Sequence, residues 1–154
     1  MKATKEFRNE LGDLYVEMEV NFDGRYLYSS WQGGFITLEE LVTAGNYVLD
    51  LCEYFNLQHI INDNRKLTGS WDHANDYNAN VWLPRALKIG LLKLAHISSP
   101  EIFAQLSGEQ MEQYLGGDLN IKIFKDFEDF QVSCNKTPIL QNSDASPRWF
   151  FTSW

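Results

Sequence analysis

Two groups of polar side chains directly follow apolar runs in this sequence, and a third group lies between them. The first follows the run LQHII at 57–61, and the second follows LLKLAHI at 91–97. If these runs are neighbouring parallel strands, the polar groups meet at the carboxyl edge of a sheet, where open α/β sheets bind ligands. The sequence therefore predicts a binding patch, with the candidate residues Asn62, Asp63, Asn64, Arg65, Ser70, Trp71, His73, Ser98 and Ser99. The alternative is structural, because Asn, Asp and Ser also cap helices and shape turns.

Three side chains near this edge could transfer protons. Asp63, His73 and His96 are the candidates for a small enzyme, since acid–base catalysis needs two such groups within reach of each other in one cleft. His96 lies inside an apolar run, which favours a core histidine over a catalytic one. The non-enzymatic interpretation is favoured, and the enzyme is the alternative.

Other patterns of catalysis and of cofactor binding are missing from the sequence. It has no G-x-S-x-G, and Gly33-Gly34 lacks the spacing and the lysine of a phosphate-binding loop. In Asp72-His73-x-x-Asp76, only His73 and Asp76 share a helix face, whereas a zinc site needs three or four ligands. We expect neither a metal nor a cofactor.

The segment 62–73 has the composition of a long loop. It places Arg65 and Lys66 before a helix N-terminus, a combination that could hold an anion or a phosphoryl group on Ser70 or Thr68. Asp72 opposes this interpretation, because its carboxylate would cap the same helix and repel a phosphate. Loops of this length often carry function, so any functional site is predicted here.

The elements that must position these residues can be read from periodicity. Alternation over 14–22, the turn signal Asp23-Gly24 and a return strand over 25–31 predict an opening hairpin. Thr37 and Glu40 form a capping box before a helix of about five turns. A strand at 57–61 follows, and then a helix with a kink near Val81 to Leu83, which Pro84 imposes.

The second half repeats this alternation. A strand at 91–97 leads to a helix that begins at Ser98-Ser99-Pro100, and a second capping box at Ser107 predicts that the helix restarts there. A strand at 119–124 and a short helix capped by Asp126 follow. The order predicts an α/β fold, with a five-stranded, mostly parallel sheet, an antiparallel first strand at its edge and about four helices.

The composition of the sequence disfavours some classes of binding partner. The formal net charge is −8, which disfavours nucleic acid and anionic membranes as partners. Of the two cysteines, Cys52 lies on the apolar side of a predicted helix, and the N-terminal sequence has no apolar signal region. A cytoplasmic location is the expectation.

The order of elements and several landmarks resemble the STAS fold of the SpoIIAA anti-sigma-factor antagonists, and more closely a SpoIIAA-like group of small bacterial proteins. The stretches that carry the resemblance are IINDNRKLTG, SWDHAND, VWLPRALKIGLLKLAHISSPEIFAQLS and LGGDLNIKIFKDFEDF. The resemblance implies a regulatory or binding module. Phosphorylated STAS proteins carry Asp-Ser/Thr-Ser/Ala-Gly at the start of the helix that follows the third strand. This chain has Leu67-Thr68-Gly69-Ser70 at that place.

These observations define the domain and the functional hypotheses. Residues 1–132 are predicted to form a single SpoIIAA-like domain, and 133–154 a C-terminal tail. The tail ends in large aromatic residues that are expected to dock on the domain or on a partner chain, with a disordered end as the alternative. The favoured function is a non-catalytic module that docks a protein partner or a small ligand. A homodimer without a ligand is a further hypothesis.

Overall fold

The computed structural model describes residues 2–115, 117 and 119–135, and in this part of the chain six strands form one sheet in the order β1 to β6. The strands are β1 Lys2–Arg8, β2 Leu14–Asn21, β3 Tyr26–Gly33, β4 His59–Leu67, β5 Lys93–Ile97 and β6 Asn120–Phe124. The first three strands pair antiparallel, and β3 to β6 pair parallel. The predicted α/β class and mostly parallel sheet with an antiparallel edge are confirmed.

Four helical regions connect or follow the parallel strands, as predicted. They are α1 Leu38–Tyr54, the segment 72–88, α4 Ile102–Leu115 and α5 Phe127–Asn135. The segment 72–88 consists of a 3-10 turn Asp72–Ala74, α2 Asn75–Tyr77, a π-helical turn Asn78–Trp82 and α3 Leu83–Lys88. The π turn ends just before Pro84, so the predicted irregularity is confirmed. A widened turn accommodates the missing N–H of proline.

The sheet separates two apolar clusters. We call the face that carries the larger cluster the inner face and the face that carries the smaller cluster the outer face. The inner face packs against α1, the segment 72–88 and α4, and it carries the larger cluster. The outer face packs against α5 through Phe127 and Phe130 and carries the smaller cluster. Side chains alternate between the two faces along each strand, so neighbouring residues of β4 lie in different environments.

The prediction of five strands was wrong, because β1 forms the antiparallel edge. Its sequence, KATKEFR, has few apolar residues, and nearly all of its side chains are exposed. Charged side chains are common on edge strands, where they discourage pairing with other chains. β1 lies at the edge of the sheet and pairs only with β2. Because nearly all of its side chains are exposed, its sequence lacks the apolar alternation that indicates a strand.

The predicted long loop 62–73 was also wrong, because β4 extends to Leu67. Asn64 and Leu67 are buried on the inner face, and hydrogen bonds from the chain satisfy Asp63 on the outer face. Two residues of β4 lie opposite one residue of β3 near Trp31, which gives a β-bulge. Polar residues inside a buried strand were thus misread as a loop.

The predicted capping box at Thr37 was confirmed, but two smaller predictions were wrong, namely the two-residue hairpin turn and the restart of a helix at Ser107. The capping box at α1 is present, with Glu40 N donating to Thr37 Oγ1 at 3.2 Å. The hairpin turn spans four residues, 22–25, and Arg25 takes the left-handed conformation with φ 55°. The helix α4 continues through Ser107, whose hydroxyl donates back to the Phe103 carbonyl at 3.0 Å instead of capping a new helix.

In the described ranges, no helix is both long and apolar enough to cross a membrane. The tail prediction concerns Trp149, Phe150, Phe151 and Trp154, which lie outside the described residues. The stretch 136–154 as a whole lies outside them.

Candidate functional site

The sheet divides the predicted binding patch between its two faces. Asn62 and Asn64 point to the inner face, and Asp63 points to the outer face beside Tyr28 and Arg65. The sequence predicted that these groups converge, because they follow one another along the chain. Alternation along a strand separates them, so only part of the predicted patch can act together.

A pocket opens on the inner face between the sheet, α1, the segment 72–88 and α4, and it encloses about 90 Å³. Its walls are mainly apolar and include three of the five tryptophans. None of the described residues that line it is charged. The residues that line it are Ser29, Trp31, Leu41, Gly45, Val48, Ile60, Asn62, Asn64, Leu67, Trp71, Ala74, Asn78, Trp82, Leu94, Met111 and Leu115.

A chain of hydrogen bonds crosses the floor of this pocket. The Trp31 indole donates to Ser29 Oγ at 3.2 Å, and Ser29 Oγ donates to Asn62 Oδ1 at 3.0 Å. Asn62 Nδ2 lies 3.2 Å from His96 Nδ1. Because an amide amino group can only donate, Asn62 Nδ2 is the donor and His96 Nδ1 is the acceptor in the last of these bonds.

Five buried side-chain polar atoms have no hydrogen-bond partner among the described residues. They are Asn64 Oδ1, Trp71 Nε1, both amide atoms of Asn75, and His96 Nε2. Asn64 and Trp71 are 2% and 6% exposed, and both line the pocket. Buried polar atoms are nearly always bonded, so each such atom needs an explanation.

The outer-face residues form a different arrangement around a buried carboxylate. Arg65 contacts Asp63 through Nη2 at 2.7 Å and Nε at 3.0 Å, and the Tyr28 hydroxyl donates to the same carboxylate. The guanidinium also lies 4.3 Å from the centre of the Phe127 ring. Burial alone would raise the pKa of Asp63, but the hydrogen bonds from Arg65 and Tyr28 outweigh it and lower that pKa.

The remaining predicted residues connect elements at the carboxyl edge of the sheet. Ser99 Oγ donates to the Leu67 carbonyl at 2.5 Å and accepts from Glu101 N, just before α4 begins at Ile102. The Ser98 backbone N–H donates to Phe124 O of β6 at 2.9 Å. Both serines are buried, and neither of them lines the pocket.

Ser70 and His73 lie at the surface near the same edge. The Ser70 hydroxyl donates to the Asp72 carboxylate and lies 3.2 Å from Ser107 Oγ. A phosphoryl group on Ser70 would therefore meet the carboxylate of Asp72. His73 Nε2 lies 2.8 Å from the Ile36 carbonyl oxygen, and its ring stacks on Phe35. Neither residue lines the pocket.

The candidate acid–base groups lie in three different surroundings. Asp63 is paired on the outer face, His73 lies at the surface, and His96 is fully buried on the inner face. Burial lowers the pKa of His96 to about 4, so its ring is neutral near pH 7. In the described part of the chain, no group of three or more acidic, histidine or cysteine side chains could hold a metal ion.

The buried Cys52 thiol matches its prediction as a core residue. It is 1% exposed, and burial raises its pKa to about 12. A thiol with so high a pKa is almost entirely protonated near pH 7, and the thiolate is the reactive form. Cys52 therefore acts as a small core side chain.

Sequence reasoning missed most of the pocket because its walls come from elements distant in the chain. One signal was available in β3, where Ser29 lies between the inward residues Leu27 and Trp31. A hydroxyl at an inward position of a strand indicates a polar contact in the core. Trp82, from the segment 72–88, is buried and also lines the pocket.

Comparisons of the chain with protein-family models, with curated proteins and with solved structures found no match.

Proposed function

We propose that this chain is a STAS-like, non-catalytic binding module whose inner-face pocket holds a small uncharged ligand. The observation that carries the proposal is a cavity of about 90 Å³ with tryptophan walls and no charged side chain among its lining residues. Ligand pockets in proteins are typically apolar, with a few polar groups that orient the ligand. The STAS-like assignment rests on the order of strands and helices and on the sequence landmarks.

The size of the pocket limits the ligand. An apolar cavity of about 150 Å³ is known to hold benzene, and the volume here is about 90 Å³. Scaled by volume from the six carbon atoms of benzene, a group of about four nonhydrogen atoms fits without rearrangement. Larger ligands require movement of wall residues, for which the flexible side chain of Met111 is suited.

Charge selects further among small molecules. A carboxylate or ammonium group inside this pocket would lose its hydration without gaining a counter-ion, which is costly. The acidic side chain of β4, Asp63, points to the outer face and is paired with Arg65. The pocket therefore favours neutral ligands over anions and cations of the same shape.

The enzyme alternative has less support from the same geometry. Proton transfer needs groups within hydrogen-bond reach of a shared substrate atom. Asp63 accepts from four donor groups on the outer face, whereas the pocket is on the inner face. The binding of a protein partner and a homodimer stay predictions.

The test is an NMR titration with butanone and with propionate, which share a shape but differ in charge. Trp31, Trp71 and Trp82 line the pocket, so their indole N–H signals should shift with butanone and not with propionate. Ala74→Leu, which fills the pocket, should abolish the shifts. Ala3→Leu on the exposed edge strand is the matched control. Butanone shifts that spare these three indoles, or that survive Ala74→Leu, would contradict the proposal.

A further inference from the structure

Two residues that line the pocket carry one hydrogen-bond donor and one acceptor that the described part of the chain does not use. Trp71 Nε1 is a donor and Asn64 Oδ1 is an acceptor, and neither has a partner among the described residues. Both residues line the pocket and both are more than nine-tenths buried. An unpaired buried polar group costs about 1–3 kcal/mol.

The surroundings of Trp71 explain why its indole N–H has no hydrogen-bond acceptor among the described residues. Its backbone N–H donates to Ser107 Oγ of α4 at 3.0 Å, which fixes the residue against that helix. Its ring lies 5.8 Å from the His96 ring, whose Nδ1 is already engaged by Asn62. Because Asn62 Nδ2 donates to Nδ1, the proton of the neutral His96 ring lies on Nε2, so His96 offers no acceptor to the indole.

The two other pocket tryptophans provide a contrast. The Trp31 indole donates to Ser29 Oγ at 3.2 Å, and the Trp82 indole donates to the Gly45 carbonyl at 3.1 Å. Both N–H groups are therefore used in holding the walls of the pocket together. Trp71 is the pocket tryptophan whose N–H remains available to an occupant.

We propose that Trp71 and Asn64 form a subsite of this pocket for a neutral head group that carries an acceptor and a donor on the same carbon, as a primary carboxamide does. The carbonyl oxygen of the head group accepts from Trp71 Nε1, and its N–H donates to Asn64 Oδ1. The apolar part of the ligand then lies against the apolar walls. This inference rests on the proposed function, because it concerns the same pocket.

The chemistry of the two side chains excludes other head groups. A carboxylate could accept from Trp71, but it would also face the Asn64 oxygen without a hydrogen to share. A ketone satisfies Trp71 and leaves Asn64 unpaired, and a hydrocarbon leaves both unpaired. A site with buried polar groups discriminates against analogues that lack the matching group.

The test uses three neutral probes of nearly the same shape, with five nonhydrogen atoms each: propionamide, butanone and isopentane. Affinities are measured by NMR titration on the intact chain and on the variants Asn64→Leu and Trp71→Phe. Asn64→Leu should weaken propionamide about three- to tenfold and leave butanone within twofold, because one hydrogen bond is lost. Trp71→Phe should weaken both carbonyl probes by a similar factor, and isopentane should bind as before.

Trp82→Phe is the matched control, since it removes an indole that is bonded to Gly45 and not to the occupant. It should change the affinity of all three probes by the same factor. If butanone and isopentane bind but Asn64→Leu and Trp71→Phe leave the preference among probes unchanged, the subsite is overturned and the pocket stands. If no probe shifts the pocket indoles, the proposed function fails with it.

Discussion

Asn62 Nδ2 donates to His96 Nδ1 across the β4–β5 pair at a distance of 3.2 Å. The direction follows from the amide itself, because its Nδ2 amino group can donate but cannot accept. Nδ1 of His96 is therefore an acceptor, and the ring proton of the neutral imidazole lies on Nε2. That nitrogen faces Gly108 of α4.

The first prediction concerns the pH dependence of stability. Burial lowers the pKa of His96 to about 4, below the value of about 6.5 in an unfolded chain. A lowered histidine pKa means that the unfolded state binds the proton more readily. Stability is therefore fully present above pH 6.5 and falls as the pH drops towards 4, by about 3 kcal/mol across the window.

His96→Gln should reduce this loss of unfolding free energy between pH 6.5 and 4, as measured by urea unfolding at several pH values. His73→Gln controls for the removal of an imidazole as such, because His73 lies at the surface. Parallel curves for the wild type and His96→Gln would contradict the assignment of this slope to His96.

The second prediction concerns the carboxylate on the outer face. Arg65→Ala leaves Asp63 buried without its cation and should lower the unfolding free energy by about 1–3 kcal/mol, since Arg65 itself is partly exposed. Lys66→Ala, an exposed neighbour, should change it by less than about 0.5 kcal/mol. Thermal and urea unfolding measure both. Equal effects of the two variants would show that the Arg65–Asp63 ion pair makes no specific contribution to the unfolding free energy.

The same carboxylate sets a dependence on acid. Hydrogen bonds lower the pKa of Asp63 despite its burial, so its contribution is present above the unfolded value of about 3.9. It is lost as the pH falls through the lower pKa of the folded state. Asp63→Asn should therefore reduce the loss of unfolding free energy below pH 4. This range lies below the range of pH 6.5 to 4 in which His96 titrates.

The third prediction compares two glycines inside helices. A Cβ added at Gly108 would lie 2.8 Å from His96 Nε2, whereas one added at Gly45 would lie 3.4 Å from its nearest atoms. Alanine favours a helix by about 1 kcal/mol over glycine. Gly45→Ala should be neutral or stabilising by up to that amount. Gly108→Ala should destabilise by about 1–3 kcal/mol, because the bonded imidazole must move. Thermal unfolding that finds Gly108→Ala as stable as Gly45→Ala would contradict the close contact.

The alternation of strands and helices could be predicted because each element has its own local signal. The capping box at Thr37 and the proline after the π turn act through neighbouring residues. Ser107 shows the limit of such reasoning. Its pattern is that of a cap, but its hydroxyl is used by the Trp71 backbone and by the Phe103 carbonyl. Packing against a distant element decides its role.

The candidate site was only partly predictable for the same reason. Asn62, Asn64 and Trp71 were singled out, and they line the pocket. Asp63 and Arg65 were grouped with them, although the alternation of β4 sends them to the other face. The bulge beside Trp31 and the extension of β4 depend on pairing with β3, which the sequence of β4 alone does not specify.

The last prediction concerns the size limit of the pocket. Met111 and Met18 are both buried core methionines, but only Met111 lines the pocket. Either substitution by alanine should lower the unfolding free energy by about 2–5 kcal/mol. Only Met111→Ala should also enlarge the cavity, so that benzene, which needs about 150 Å³, binds and stabilises the variant. Thermal unfolding with and without benzene measures this.

A benzene-dependent rise in Tm is expected for Met111→Ala and not for Met18→Ala, because a ligand that binds only the folded state stabilises it by mass action. If either alanine variant fails to fold, the milder pair Met111→Val and Met18→Val replaces it. A rise of equal size in both variants would mean that benzene enters the core at large. The pocket between α1, the segment 72–88 and the sheet would then not be the place that admits a ligand.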